Sequence, residues 1–169
     1  MKLILHDLTD EDFNKITNKI SEETKVICQK DNIKKCLGCF SCWIKTPGKC
    51  ILHDEYNQMG LLLSNSDEVI IISKCCYGSY SPFIKNLIDR SISYVLPYFT
   101  IKNNEMHHIP RYNHTFNFSV FTYGQATDME KETLKSLIER NCLNLNIAKY
   151  NFKYCDNLFM DHELKEALQ

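Results

Sequence analysis

The run Glu-Val-Ile-Ile-Ile-Ser at residues 68–73 is the feature that most limits the folds open to this chain. It is continuously apolar and rich in β-branched side chains, with no polar residue at alternate positions. Such a run is typical of a strand that is buried on both faces, as strands are in parallel sheets with helices on both sides. We therefore expect residues 69–72 to form a central strand of a parallel sheet.

Strand-like and helix-like segments alternate along the whole chain. The expected strands are 2–6, 25–28, 68–73, 116–122 and 150–154, and the expected helices begin after Thr9, Asp54 and Ser81 and cover 129–142 and 163–168. This alternation predicts right-handed crossovers and helices on both faces of the sheet. We predict one α/β domain over residues 1–169, with a three-layer, doubly wound, five-stranded parallel sheet in the order 2-1-3-4-5.

Composition excludes several classes of protein. The net charge is -1 with acidic and basic residues interspersed, so the basic stripe of a nucleic-acid-binding protein is missing from the sequence. Residues 1–8 carry a short apolar run without a basic leader, and the longest apolar stretches span only a few residues. We expect a cytoplasmic protein without a membrane anchor, in which the nine cysteines serve as thiols, metal ligands or redox groups.

Two segments lack a convincing helix or strand pattern. The first is a cysteine-rich stretch at 36–50 that contains Pro47-Gly48, which we expect to be a loop. The second is the His-rich stretch at 97–115, which we also expect to be a loop. Loops of this length in compact domains are usually functional or disordered.

Three motifs resemble those of one family. The first is the array Cys36-x2-Cys39-x2-Cys42-x7-Cys50, and the second is Tyr77-Gly78-Ser79-Tyr80-Ser81-Pro82 followed by Lys85 and Asp89-Arg90. The third is Thr122-Tyr123-Gly124, which follows the fourth expected strand. In this order and spacing they resemble the cysteine loop and the two flavin-contacting loops of flavodoxin-like NAD(P)H-dependent FMN reductases and iron-sulfur flavoproteins.

The resemblance implies an oxidoreductase that uses FMN to pass electrons from NAD(P)H to a small-molecule or protein acceptor. We expect neither a nucleic-acid partner nor a membrane partner. It also implies a homo-oligomer, either a dimer or a tetramer. In doubly wound sheets ligands bind beyond the carboxyl ends of the strands, where both loops are expected. The implied flavin contacts are Thr9, Cys75, Cys76, Tyr77, Gly78, Ser79, Tyr80, Ser81, Thr122, Tyr123 and Gly124.

The first loop departs from the family pattern. Flavin reductases hold the FMN phosphate in a turn rich in Ser, Thr, Gly and Arg, whereas residues 6–12 here read His-Asp-Leu-Thr-Asp-Glu-Asp. Four carboxylates repel a phosphate dianion, and Thr9 offers a single hydroxyl. Three alternatives follow: FMN binds weakly, other residues hold the phosphate, or a flavodoxin-like fold has lost its flavin and uses its cysteines for metal binding or for a partner.

The cysteine array has three interpretations. Cys36, Cys39, Cys42 and Cys50 have a spacing that suits a [4Fe–4S] cluster, but they also suit structural or redox thiols. Zinc more often uses two separated C-x2-C pairs. Cys75 and Cys76 are interpreted either as small buried hydrophobic residues or as a redox pair.

Residues 105–114 contain three of the six histidines and Arg111. Their resemblance to a similar stretch in clostridial-type flavodoxin-family proteins suggests a lid over the flavin or a dimer contact, and a solvated loop is the alternative. Lys74 follows the central strand, where a cation can stabilise a reduced flavin.

Overall fold

The structure is a computed structural model that describes residues 1–17, 19–29, 33–147 and 149–169. Its strands are β1 (Lys2–His6), β2 (Thr24–Cys28), β3 (Glu68–Lys74), β4 (Val95–Lys102), β5 (Glu105–Pro110), β6 (Asn117–Tyr123) and β7 (Lys149–Tyr154). Its helices are α1 (Asp10–Ile16), α2 (Ser41–Ile44), α3 (Met59–Ser64), α4 (Pro82–Arg90), α5 (Asp128–Asn144) and α6 (His162–Ala167).

Five strands form a parallel sheet in the order β2-β1-β3-β6-β7. Counting only the strands of this sheet, the order is the expected 2-1-3-4-5. The central strand β3 pairs with β1 on one side and with β6 on the other, and its residues Val69 to Ile72 are completely buried. The prediction of a buried central strand is therefore confirmed.

Two apolar cores lie on the two faces of the sheet. Val69 and Ile71 face the core built by α3, α4 and α5, whereas Ile70 and Ile72 face the core built by α1 and α6. This alternation follows from the two-residue period of a strand. Because both faces are covered by helices, the sheet can be apolar along its whole length.

The His-rich stretch is not a loop. β4 and β5 form a two-stranded antiparallel hairpin joined at Asn103-Asn104, both of which have positive φ. Pro97 argues against a strand in the sequence, but it lies where the pairing register shifts between Val95 and Phe99. The hairpin follows α4 in the chain and precedes β6. It therefore begins and ends on the side of the sheet where the parallel strands start.

The helix expected after Ser81 is present: α4 begins at Pro82 with Ser81 at its N-cap position, although the Ser81 side chain makes no capping hydrogen bond. Two smaller predictions need correction. Asp54 does not cap a helix: α3 begins five residues later, and the Asp54 carboxylate binds Arg90 instead. The cysteine stretch contains the single helical turn α2.

Among the residues that the structure describes, no helix is both long enough and apolar enough to cross a membrane.

Candidate functional site at the carboxyl edge and the cysteine cavity

The carboxylate of Asp7 joins three loops at the carboxyl edge of the sheet. It accepts hydrogen bonds from the backbone N–H of Lys74 (2.8 Å), from the hydroxyl of Tyr123 (2.9 Å) and from Ser73 Oγ (3.4 Å). Burial, followed by the charge of Asp7, raises the pKa of Tyr123, so this hydroxyl stays protonated and donates. The Asp7 carboxylate therefore already accepts the hydrogen bonds that these three donors could otherwise give to a ligand.

The start of α1 is capped by its own side chains. The backbone N–H of Asp12 donates to Thr9 Oγ1 (3.1 Å), and the Thr9 hydroxyl donates to the Asp12 carboxylate (3.0 Å). Asp12 also binds Lys15 (3.0 Å), whose hydrogen bond is the main cause that lowers the pKa of Asp12. With three acidic residues in its first turn, α1 does not fit a phosphate group.

Tyr77 is held out into solvent by a tight turn. Cys76 and Ser79 exchange two backbone hydrogen bonds (2.9 and 3.0 Å), and Tyr77 and Gly78 between them have φ of +52° and +72°. A Cβ on Gly78 would lie 2.9 Å from Cβ of Thr133 on α5, so only glycine lets the turn pack there. Tyr77 is 96% exposed and offers a flat ring in a strained backbone position.

Gly124 brings the next loop against Lys74. Its φ is +104°, and a Cβ there would lie 3.2 Å from Cγ of Lys74, so the lysine stem lies across the glycine. The Gly124 carbonyl accepts a hydrogen bond from the hydroxyl of Tyr154 (2.5 Å), and the Cys75 N–H donates to the Tyr123 carbonyl (2.8 Å). The two glycine-containing loops therefore meet at one edge, as the sequence predicts.

Several of the expected flavin contacts are inaccessible. Tyr80 is 2% exposed and lies in the core, where burial raises the pKa of its hydroxyl, so it cannot stack on a ligand. The other buried residues of this set are Cys75, Gly78, Ser81 and Thr122. Ser81 donates its backbone N–H to Ser73 Oγ (2.9 Å), which holds the loop in place. At this edge Cys76, Tyr77, Ser79, Tyr123 and Gly124 keep some exposure.

Cys36, Cys39, Cys42 and Cys50 all line one cavity of about 530 Å³, which we call the cysteine cavity. Gly38 and Phe40 take positive φ (60° and 53°), and these two left-handed residues turn the chain between the cysteines. Burial and then the neighbouring thiol of Cys50 raise the pKa of Cys42, whereas a hydrogen bond with Ser41 lowers the pKa of Cys39. The structure thus brings the predicted cysteines together, and all nine cysteines are free thiols.

The arrangement argues against zinc. In the described ranges, no three His, Cys, Asp or Glu side chains meet as ligands of a single metal ion. Zinc needs its sulfur ligands about 2.3 Å from one point, whereas a [4Fe–4S] cluster spreads its ligands over four irons. The four thiols share one cavity of about 530 Å³ but do not converge on one point.

A buried ion pair that the sequence analysis missed closes the cysteine cavity. The guanidinium of Arg90 is fully buried and binds both carboxylate oxygens of Asp54, one of them at 2.7 Å. Arg90 also donates to the Lys34 carbonyl (3.1 Å) and lies beside the Cys50 thiol. Burial opposes its charge, but Asp54 and Cys50 together raise the pKa of Arg90. Two sequence features could have indicated this ion pair: Asp54 follows the cysteine array, and Arg90 ends the helix α4.

An aromatic stack from the hairpin forms another wall of the cavity. The His108 ring packs at a tilt against Trp43 and Phe99, with ring centroids 4.8 and 4.6 Å away, and Phe40 stacks on Trp43 at 5.0 Å. The indole N–H of Trp43 donates to the carbonyl of Val95 (2.9 Å). His107 instead contacts Asn144 of α5 (3.0 Å). The hairpin therefore lies against the cysteine segment, away from the loops that were expected to hold the flavin.

Comparison with known proteins extends this description. No protein-family model matches the chain. An iron-sulfur flavoprotein of Archaeoglobus fulgidus is 30% identical over 87 residues, which are 52% of this chain and 39% of that protein. A second iron-sulfur flavoprotein of the same organism is 32% identical over 74 residues, 43% of this chain and 35% of the relative. The matches thus span less than two fifths of these relatives, and they confirm the resemblance seen in the motifs.

Solved structures are similar over nearly the whole chain. An FMN-dependent NADH-azoreductase from Bacillus anthracis in complex with FMN has a TM-score of 0.53 at 10% identity, covering 99% of this chain and 92% of that one. An NAD(P)H:quinone oxidoreductase from Methanothermobacter marburgensis has a TM-score of 0.58 at 12% identity, with coverage of 98% and 92%. The chain has the flavodoxin-like fold. Within this flavodoxin-like chain the carboxyl edge is the usual place for a ligand, and the cysteine cavity is an additional feature.

Proposed function

We propose that this flavodoxin-like chain is a flavin-dependent oxidoreductase that passes electrons from a reduced nicotinamide to a small acceptor. The observation that carries the proposal is the exposed ring of Tyr77, held at the carboxyl edge beside the Gly124 loop. A bound flavin would supply the redox chemistry, and the protein would bind and orient it. The FMN and NAD(P)H named for the similar structures support this choice of cofactor and donor.

The residues at the edge fit the ring of a flavin better than its phosphate. Tyr77 offers a stacking surface, and the exposed Gly124 allows the backbone to come close to a flat ring. Asp7 and the acidic first turn of α1 oppose a phosphate dianion. We therefore propose that FMN is held mainly through its ring, with little help from its phosphate.

We also propose that Cys36, Cys39, Cys42 and Cys50 hold a [4Fe–4S] cluster, which would transfer single electrons. The four thiols share the cysteine cavity, and the fully buried Arg90 beside Cys50 supplies positive charge next to electron-rich sulfur. The iron-sulfur flavoproteins that match the chain support this assignment by name.

The direct test is a cofactor analysis of anaerobically purified protein. We expect flavin and cluster absorbance, about four irons per chain as a [4Fe–4S] cluster requires, and oxidation of NADH or NADPH when a quinone is added. Tyr77→Ser should weaken flavin binding, whereas Tyr98→Ser, which changes an exposed tyrosine on the hairpin, should not. A colourless protein that takes up neither FMN nor riboflavin would instead support a non-catalytic flavodoxin-like protein, the alternative favoured by the charge of Asp7.

The homo-oligomer implied by the family resemblance remains a proposal. The hairpin exposes several large apolar side chains, namely Tyr98, Phe99, Ile101 and Met106. Contiguous exposed apolar surface often marks an interaction site. Sedimentation equilibrium over a range of concentrations measures the mass of the assembly, and a monomer at every concentration would contradict the proposal.

A further inference from the structure

One buried donor in the cysteine cavity has no partner. Arg90 uses Nη1 and Nη2 for Asp54 and for the Lys34 carbonyl, but across the described residues its Nε–H meets no acceptor. The side chain is fully buried. Buried donors are nearly always satisfied, so an unpaired Nε–H on a cavity wall indicates an acceptor that belongs in the cavity.

A second nitrogen at the same cavity has the same property. His108 lines the cavity, and its Nδ1 is buried with no hydrogen-bond partner in the part of the chain described. The ring packs at a tilt against Trp43 and Phe99, with centroids 4.8 and 4.6 Å away, and these contacts hold it in this orientation. The two residues that carry these unpaired, solvent-shielded nitrogens both line the cysteine cavity.

We propose that Arg90 and His108 donate N–H hydrogen bonds to sulfur atoms in the cysteine cavity and thereby raise the reduction potential of the cluster. This rests on the proposed cluster. Adding one electron makes a cluster more negative, so a cation and N–H donors at its sulfurs favour the reduced form. Asp54 acts on Arg90 rather than on the sulfur, because it holds the guanidinium in this orientation through two hydrogen bonds.

Because Arg90 is also part of a buried ion pair, its test needs a quantity that a purely structural role would not change. We would measure the midpoint potential of the cluster by anaerobic titration with dithionite, together with iron content per chain. Arg90→Lys keeps the charge but loses the Nε–H, and Arg90→Gln loses both. We expect the potential to fall in the order wild type, Arg90→Lys, Arg90→Gln. Lys85→Gln is the matched control, because Lys85 is an exposed cation on the same helix.

His108→Phe tests the same inference independently, in case the Arg90 variants do not fold. It keeps a ring against Trp43 and Phe99, removes Nδ1, and breaks no side-chain hydrogen bond among the residues that the structure describes. We expect unchanged iron content and a lower potential. If iron-loaded His108→Phe and Arg90→Lys both have the wild-type potential, this inference is overturned, but the proposed cluster is not. Wild-type protein without iron would overturn the proposed cluster, and this inference with it.

Discussion

The acidic residues before and within α1 set the charge that a flavin phosphate would meet. Replacing Asp10 by Ser together with Asp12 by Thr should strengthen FMN binding roughly thirtyfold, because each of the two exposed charges contributes about 1 kcal/mol of repulsion. Riboflavin has no phosphate, and its affinity should stay almost unchanged. Quenching of flavin fluorescence measures both affinities.

The matched control for this prediction lies at the opposite edge of the sheet. Glu22→Ser with Glu23→Thr removes two acidic charges just before β2 begins, and it should alter neither affinity. If the unmodified protein already binds FMN far more tightly than riboflavin, then a phosphate site exists elsewhere and the prediction fails.

His6 makes stability depend on pH. It is buried at the end of β1, where its ring stacks on Phe13 at 4.0 Å, and burial lowers its pKa from 6.5 to about 4. The unfolded chain therefore binds the proton more readily than the folded one. Stability is complete above about pH 6.5 and falls by up to about 3 kcal/mol as the pH drops towards 4.

The histidine effect can be isolated by substitution. In His6→Phe the loss of unfolding free energy between pH 7 and pH 4.5 should shrink by about 2 kcal/mol relative to the unmodified chain, as measured by urea unfolding. His162→Gln changes an exposed histidine on α6 and should leave the pH dependence as it was. An equal pH dependence in all three proteins would refute the role of His6.

At the scale of elements, local patterns predicted the parallel sheet well and the hairpin not at all. The apolar run of β3 identifies a buried strand without further information, because burial on both faces leaves no room for polar residues. The hairpin was missed because residues 97–115 lack a convincing strand pattern. Asn103-Asn104 is the available signal, since asparagine tolerates the positive φ that two-residue hairpin turns require.

The turn of the hairpin gives an element-level prediction. Asn104 has a φ of 63°, so Asn104→Ala should lower the free energy of unfolding by about 1 kcal/mol, whereas Asn104→Gly should not lower it. Asn113→Ala, at an exposed position that lacks a positive φ, should have a smaller effect. Thermal unfolding compares the three variants. Equal losses for Asn104→Ala and Asn104→Gly would show that the backbone conformation does not matter there.

The candidate site was predictable only in part. Chain order placed the Tyr77 and Gly124 loops at one edge, because parallel strands end on the same side. Burial of Tyr80 and the link from Asp7 to Tyr123 depend on packing between distant segments, which local patterns do not encode. The same holds for the pair of Asp54 and Arg90, whose residues lie 36 positions apart.

At the scale of the whole molecule, α4 separates the two sites. It starts at Pro82 beside the Tyr77 turn and ends at Arg90 in the cysteine cavity, and its nine residues span about 13 Å. Changes more than about 10 Å apart usually act independently. Cys39→Ser with Cys42→Ser should therefore abolish most iron binding, while the flavin dissociation constant stays within about twofold.

Cys28→Ser is the control for this independence. Cys28 ends β2 and does not line the cysteine cavity, so its substitution should change neither iron content nor flavin affinity. Iron assay and flavin titration on the same samples provide both quantities. A large loss of flavin affinity in the double cysteine variant would mean that the two sites are coupled.

Trp43 gives the molecule an optical reporter of its own. It is the one tryptophan in the sequence, and the two rings stacked against it, Phe40 and His108, both line the cysteine cavity. All ultraviolet emission from tryptophan therefore originates beside the four thiols. The emission lifetime will distinguish chains whose cavity contains iron from chains whose cavity does not, within a single preparation and without any added dye.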